Sequence, residues 1–214
     1  MSPKVTTEHE RGQRARILGA AAACFTRAGV RRTTIQDICD EAGLSKGGLY
    51  TYFKSKDEIL AAVVEQSLEL SLQQAMAAAA GASTPLEKID RIADQYVTGL
   101  VSGEFAPGFS PRLLLEVWTE ASKDDRLGAL CARGYNEWQG FLGGLLREAQ
   151  AAGQLRRDID TEALAAIIIS TFDGLSLQEA LTQARIDWPL IVRTLRTAIG
   201  EGTLTRAVTR EGAR

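Results

Sequence analysis

Residues 35–53, IQDICDEAGLSKGGLYTYF, hold two short apolar stripes parted by a glycine. Ile35, Ile38, Cys39 and Ala42 recur at three- and four-residue spacing, the period of one face of an α-helix. Gly43 then supplies a left-handed turn that a side chain would resist. Beyond it Leu49 and Phe53 stand four apart. The spacing predicts helices over about 35–42 and 46–53. Thr33 or Thr34 caps the first and Ser45 the second, because a hydroxyl accepts a bond from a backbone N–H two or three residues on. A preceding stripe, Ile17, Leu18, Ala21, Cys24 and Phe25, predicts a helix over about 9–28 that Gly29 stops. Leu49 and Phe53 point to the core of this three-helix unit.

The rest of the chain repeats the helical period. Helices are expected over about 57–80, 85–100, 111–121, from a cap in SKDDR (122–126) to about 152, 161–184 and 189–199, with Thr84-Pro85-x-Glu87 a capping signature. Alanine and leucine dominate and Pro numbers only 5, which favours helix over strand. The fold class is therefore all-α, about nine helices. A head over 1–56 leads into a larger helical body over 57–200, and 201–214 is a frayed tail. About 45% of the chain is hydrophobic, enough for a sizeable core. No unbroken apolar run approaches the roughly 18 to 20 residues that span a bilayer, and the N-terminus lacks an apolar signal core. A cytoplasmic protein with no membrane partner is expected.

Charge is uneven. Residues 1–60 carry 10 basic and 7 acidic side chains, the remainder 15 and 20. A mildly basic head on an acidic body suits nucleic acid at one end and another task at the other. The chemistry of catalysis is missing. His9 is the one histidine and lies in a polar stretch, while Cys24, Cys39 and Cys131 are too scattered to pair or to hold a metal. They read as small buried apolar residues. No Glu-x-x-His pattern is present, so no catalytic set, metal or cofactor is expected.

Two helices joined by a tight glycine turn form a helix-turn-helix, whose second helix enters the major groove. That role gives Gly47 and Gly48 a purpose. Each costs about 0.8–1 kcal/mol against Ala in a helix interior, and close approach to a partner can offset this. Lys46, Tyr50 and Tyr52 are left for the outer face or its edge. Lysine neutralises a phosphate, and a tyrosine hydroxyl bonds to its oxygens. Lys54 and Lys56 stand at the next helix start, where free N–H groups also favour an anion; a solvated charged face is the plainer reading of those two.

Residues 17–60 resemble the head of the tetracycline-repressor (TetR) family of one-component transcriptional regulators. The likeness rests on Ala21-x-x-x-Phe25, Gly29, Thr34 before Ile35, Ala42-Gly43-x-Ser45, Leu49-Tyr50-x-x-Phe53 and Lys56 ahead of Leu60. It implies that Thr33 or Thr34 and Ser45 meet phosphates, that Lys46, Gly47 and Gly48 approach bases or backbone, and that Tyr50, Tyr52 and Lys56 contact phosphates. Gly48 departs from the Thr or Pro often found there, and Cys39 stands where Ala is usual. The resemblance further implies a helical body with a small-molecule pocket and a dimer built on its last two long helices. Asp173–Leu181, DGLSLQEAL, is similar to a stretch in members likened to the choline-responsive repressor.

Aromatic residues cluster along the body. Tyr96, Phe105, Trp118, Tyr135, Trp138, Phe141 and Phe172 are candidates to line a pocket for a small apolar or aromatic effector, with Glu116 or Asn136 as a polar anchor. Aromatic stripes at helical spacing also build cores. Pockets between bundle helices are mostly apolar with a few polar anchors. Ala165, Ile168, Ile169, Leu175 and Leu177, with Leu190 and Leu195, supply more apolar surface than one internal side uses, and a homodimer would bury it. The expected function is a dimeric repressor of a palindromic double-stranded DNA operator, released by that effector. A DNA-organising protein without an effector is the alternative, and a helical enzyme a weaker one.

Overall fold

The computed structural model describes residues 7–102, 110–182 and 185–199, and every regular element among them is α-helical. The helices are α1 Thr7–Ala28, α2 Ile35–Ala42, α3 Lys46–Tyr50, α4 Lys56–Ala79, α5 Pro85–Ser102, α6 Pro111–Ala121, α7 Asp125–Ala151, α8 Thr161–Thr182 and α9 Trp188–Ile199. The expected all-α class and element order hold. The tail 201–214 lies outside the described residues.

Local chemistry sets the boundaries around α2 and α3. Thr34 and Asp37 form a reciprocal capping box, the Thr34 Oγ1 accepting from the Asp37 N–H at 3.2 Å and the Asp37 carboxylate accepting from the Thr34 N–H at 2.8 Å. The Thr34 N–H, joined by the Thr34 hydroxyl at 2.8 Å, holds the Asp37 carboxyl below its ordinary range. Gly43 closes α2 at φ 61°, in the left-handed region. Ser45 Oγ then accepts from the Gly48 N–H at 3.1 Å to start α3. This helix ends at Tyr50, short of the expected Phe53. The chain tightens instead into a turn, with Tyr52 N–H and Phe53 N–H both donating to the Leu49 carbonyl. Phe53 still reaches the core.

The chain divides into two compact units. The first comprises residues 1–71 and 104–132, so that α6 and the start of α7 join α1–α3 and most of α4. Its core is built from Ile17, Phe25, Ile38, Leu49, Phe53 and Ile59, with Leu113 and Val117 of α6. The second comprises residues 72–103 and 133–214. Leu146, Ala149, Ala165, Phe172, Trp188 and Val192 centre its core. Cys24 and Cys39 are buried, and burial pushes both thiols up from their ordinary range, the inert behaviour expected of them.

One feature of α8 departs from expectation. By length and composition it could cross a membrane, its most apolar 18-residue window averaging a mean hydropathy of 1.3, yet only 22% of that window is buried. Polar Ser170, Thr171 and Asp173 interrupt the run, which is why no unbroken apolar stretch stands out in the sequence.

Candidate nucleic-acid interface

The α2–turn–α3 hairpin displays a narrow outer face. Leu49 is fully buried, while Ser45, Lys46 and Gly47 are exposed and Tyr50 is 51% exposed. Nothing in the fold demands the two glycines of α3. A Cβ at Gly47 would meet nothing nearer than Ser45 Oγ at 4.0 Å, and one at Gly48 would touch the same atom at 3.4 Å, ordinary contact. Their smallness serves the outside of the helix. Tyr52 behaves differently from Tyr50: it is half-buried and packs against the core. Tyr50 thus stands on the outer face and Tyr52 at its edge.

Arginines of α1 brace this hairpin, which the spacing of residues did not reveal. Arg16 Nη2 donates to the Gly43 carbonyl at 3.1 Å. The Arg14 guanidinium lies 4.4 Å from the Phe53 ring centre, a cation–π contact. Both act on backbone or core atoms beside the turn and so hold α3 in position.

Thr33 and Lys56 belong to the scaffold. Thr33 is 1% exposed, and its hydroxyl donates toward the Gly29 and Cys24 carbonyls at 2.8 and 3.2 Å. It is closed to a phosphate, and exposed Thr34 is the one that caps α2. Lys56 Nζ folds back on the α1–α2 connection, donating to the carbonyls of Val30 at 2.8 Å and Thr33 at 2.9 Å, with Arg31 at 3.5 Å. This ammonium is spent on backbone. A lysine at a helix start reads as an anion ligand in sequence, but its long stem can reach elsewhere.

Glu116 is likewise corrected. Rather than anchoring a ligand, its Oε2 accepts from the Val30 N–H at 2.5 Å. Gly29, at φ 86°, makes room for it, since a Cβ there would sit 2.6 Å from Glu116 Oε1. One turn on, Glu120 pairs with Arg31 at 3.2 Å and with Lys123 at 3.4 Å. The α1–α2 connection is thus held at its N–H side by α6 and at its carbonyl side by α4.

The remaining pocket candidates fall in different places. Trp118 is half-buried in the first unit, and Phe105 lies outside the described residues. Tyr96, Tyr135, Trp138, Phe141 and Phe172 belong to the second unit. There Phe172 meets Tyr96 edge-on at 5.0 Å and stacks on Trp188 at 5.8 Å. Trp138 and Phe141 meet edge-on at 6.1 Å. Asn136 is exposed. Asp173, which sequence reasoning passed over, accepts from the Tyr135 hydroxyl at 2.8 Å. Burial pushes its carboxyl up and that bond draws it partly back, while burial raises the Tyr96 phenol beyond the range of ordinary titration. An apolar cleft opens between α5, α8 and α9, and of the expected pocket aromatics only Phe172 lines it; Ile168 and Leu195, expected at a dimer interface, line it too.

The proposed dimer positions also divide. Ala165 is fully buried and Ile168 is 8% exposed, both inside the unit's own core, so neither can meet another chain. Ile169, Leu175 and Leu195 are half-buried against that core, and Leu177 is half-buried. Leu190 is 46% exposed, and the large apolar residues of α8 that are exposed are Ile167 and Leu181.

Comparison with known proteins agrees with this geometry. The family profile of bacterial regulatory proteins of the tetR family matches residues 17–63, and that of the BetI-type transcriptional repressor C-terminal domain matches residues 85–202. The uncharacterized HTH-type transcriptional regulator YfiR of Bacillus subtilis is 43% identical over 74 residues, 35% of this chain and 36% of that protein. The HTH-type transcriptional regulator UidR of Escherichia coli K12 is 27% identical over 80% of this chain and 84% of its own length. Among solved structures, a putative transcriptional regulator from Saccharomonospora viridis in complex with choline aligns with a TM-score of 0.75 at 24% identity, over 87% of this chain and 94% of that one. A TetR-family regulator from Cytophaga hutchinsonii aligns with a TM-score of 0.78 at 20% identity, over 90% and 96%. The relatives are named as regulators and not as enzymes. With the helix-turn-helix head matched at one end and the repressor-type helical domain over more than half its length, the chain belongs to the TetR family of DNA-binding transcriptional regulators.

Proposed function

We propose that this regulator is a cytoplasmic repressor that binds a roughly palindromic operator as a homodimer and leaves it when a small molecule enters the unit of residues 72–103 and 133–214. The observation that carries this reading is α8. Large apolar residues of so apolar a helix are normally buried, yet Ile167 is 59% and Leu181 63% exposed. They share a stripe with Gly174, where an added Cβ would meet nothing within 4 Å. A second copy of the helix can approach closely along such a stripe, and Leu190 of α9 adds to the apolar area. Twofold symmetry would then present two α3 helices to major grooves about 34 Å apart.

The same helix supports an effector. Asp173 carries a largely buried carboxyl whose bonded partner is a neutral phenol. Burying an acid without a cation is costly, and an organic cation beside Tyr135 would relieve that. A coupling of about 1–3 kcal/mol between the two sites gives a 5- to 150-fold change in DNA affinity. The test is a gel-shift titration on the DNA upstream of the gene, against random duplex, with choline as the first effector probe. Preferential binding that an organic cation reverses is expected. Equal affinity for random and upstream DNA would remove the repressor reading. Specific binding unmoved by organic cations would remove the effector class alone.

A further inference from the structure

We propose that the cleft between α5, α8 and α9 is a binding site for a small branched or cyclic alkyl amine. Its volume is about 100 Å3. An apolar hole of about 150 Å3 takes benzene, so this one has room for a group of about four to six carbons. The floor is Ile168, Phe172 and Val192, all buried, and Ile89, Ala93 and Leu195 form the walls. These surfaces offer no hydrogen bond, and the part of a ligand that enters must be apolar.

Polarity is confined to the mouth. Asp90 and Arg196 stand there, with Asp94 one turn along α5. Arg196 Nε donates to Asp90 Oδ1 at 2.7 Å, and its Nη2 donates to Asp94 Oδ1 at 2.9 Å and toward the Asp90 carbonyl at 3.4 Å. Two carboxylates therefore face one guanidinium, and the three together carry one net negative charge, with Asp90 and Arg196 on the lining and Asp94 just beyond it. An acid would have to displace a carboxylate already on Arg196 and would meet the other as a like charge. An ammonium carries three donors and no acceptor. It can approach the carboxylate oxygens that Arg196 does not engage while the ion pairs stay intact.

The cleft is partly open to solvent, so a ligand can enter without unfolding the helices, and a larger residue at Ala93 would take up part of its space. Asp173 lies on a different side of α8 from Ile168 and Phe172, given about 100° between successive residues. The cleft is thus separate from the carboxylate proposed to meet the effector. Phe172 is shared, because it also packs on Tyr96, so an occupant would be felt there.

Isoamylamine, isoamyl alcohol and isovalerate have one shape and three charges. Titrated into the full-length protein at neutral pH and matched ionic strength, with heat of binding and Tm as readouts, the amine should bind saturably and most tightly, the acid least. Ala93→Leu should abolish binding by filling the cleft. Asp94→Asn, at an exposed side chain paired with Arg196 at the surface, should weaken the amine by about two- to fivefold and leave the alcohol unchanged. Asp173→Asn should leave amine binding intact. The proposal is overturned if isovalerate binds as tightly as the amine, if none of the three binds, or if Ala93→Leu folds and still takes the amine. Should Ala93→Leu fail to fold, the Asp94→Asn selectivity decides, and an equal effect on amine and alcohol refutes the charged mouth.

Discussion

Thr33 and Thr34 are neighbours with the same side chain and opposite surroundings. One hydroxyl is sealed under the α1–α2 connection, the other faces solvent and caps α2. Gly47 presents the same division between fold and function. Its fold would tolerate a methyl group, since the nearest atom to an added Cβ is 4.0 Å away. Gly47→Ala should therefore raise stability, by up to about 0.8–1 kcal/mol from helix propensity. It should lower operator affinity, because the methyl stands on the face that approaches DNA. Denaturant unfolding and a gel shift on one preparation check both, and equal or tighter DNA binding would mean that α3 does not press on the duplex there. Asp173 makes a pH-dependent prediction. Burial raises its carboxyl above the unfolded value of about 3.9. The folded state then holds the proton more tightly than the unfolded chain. Stability consequently falls as pH rises from about 4 through the folded pKa and stays reduced above it. Asp173→Asn removes this penalty but keeps an acceptor for Tyr135. The variant should melt above the parent near about pH 7, and the gap should close toward about pH 4. A gap that is constant across that range would show that the charge is not its source.

At the scale of elements, the helices were legible because their causes are local. Apolar period, Ser and Thr caps, and the glycine stop at Gly43 all lie within a few residues of what they determine. The outward Lys46 and Tyr50 followed from Leu49 facing inward by the same geometry. Side-chain reach was not legible. Nothing near Lys56 says that its ammonium turns back to Val30 and Thr33 rather than outward. Glu116 is 86 positions from the N–H that it accepts, and no period joins them. Gly29 read as a helix stop, but its absent side chain also admits that carboxylate. This pairing can be measured. Gly29→Ala forces a methyl into the left-handed region, at about 1–2 kcal/mol, and pushes Glu116 off Val30. Glu116→Ala loses the bond but leaves the backbone relaxed. Once Glu116 is gone, the methyl has less to displace. The double variant should therefore be less destabilised than the two single losses together, by about 0.5–3 kcal/mol. Strict additivity in urea unfolding would mean that the contact contributes nothing to the junction of α6 with the head.

At the scale of the whole molecule, one head offers little to hold DNA. Its outer face carries Lys46, Tyr50, Thr34 and Ser45, and Thr33 and Lys56 are occupied within the fold. Linking two such heads makes the second contact intramolecular, and affinity can rise by about 100- to 10,000-fold with no new contact. On the proposed reading a second copy makes up that shortfall, and the exposed stripe of α8 is where it is expected to dock. Ile167→Glu places a charge at one end of that stripe. Because Ile167 is 59% exposed in the single chain, the variant should keep its helical content and the core around Ala165 and Phe172. Sedimentation should show a shift from dimer to monomer at equal concentration. Operator affinity should fall by about 100-fold or more, while non-specific binding to random duplex changes far less. Loss of operator binding without loss of the dimer would place the defect elsewhere in the body. A variant that stays dimeric and binds the operator like its parent would mean that this face of α8 is covered by something other than a second copy.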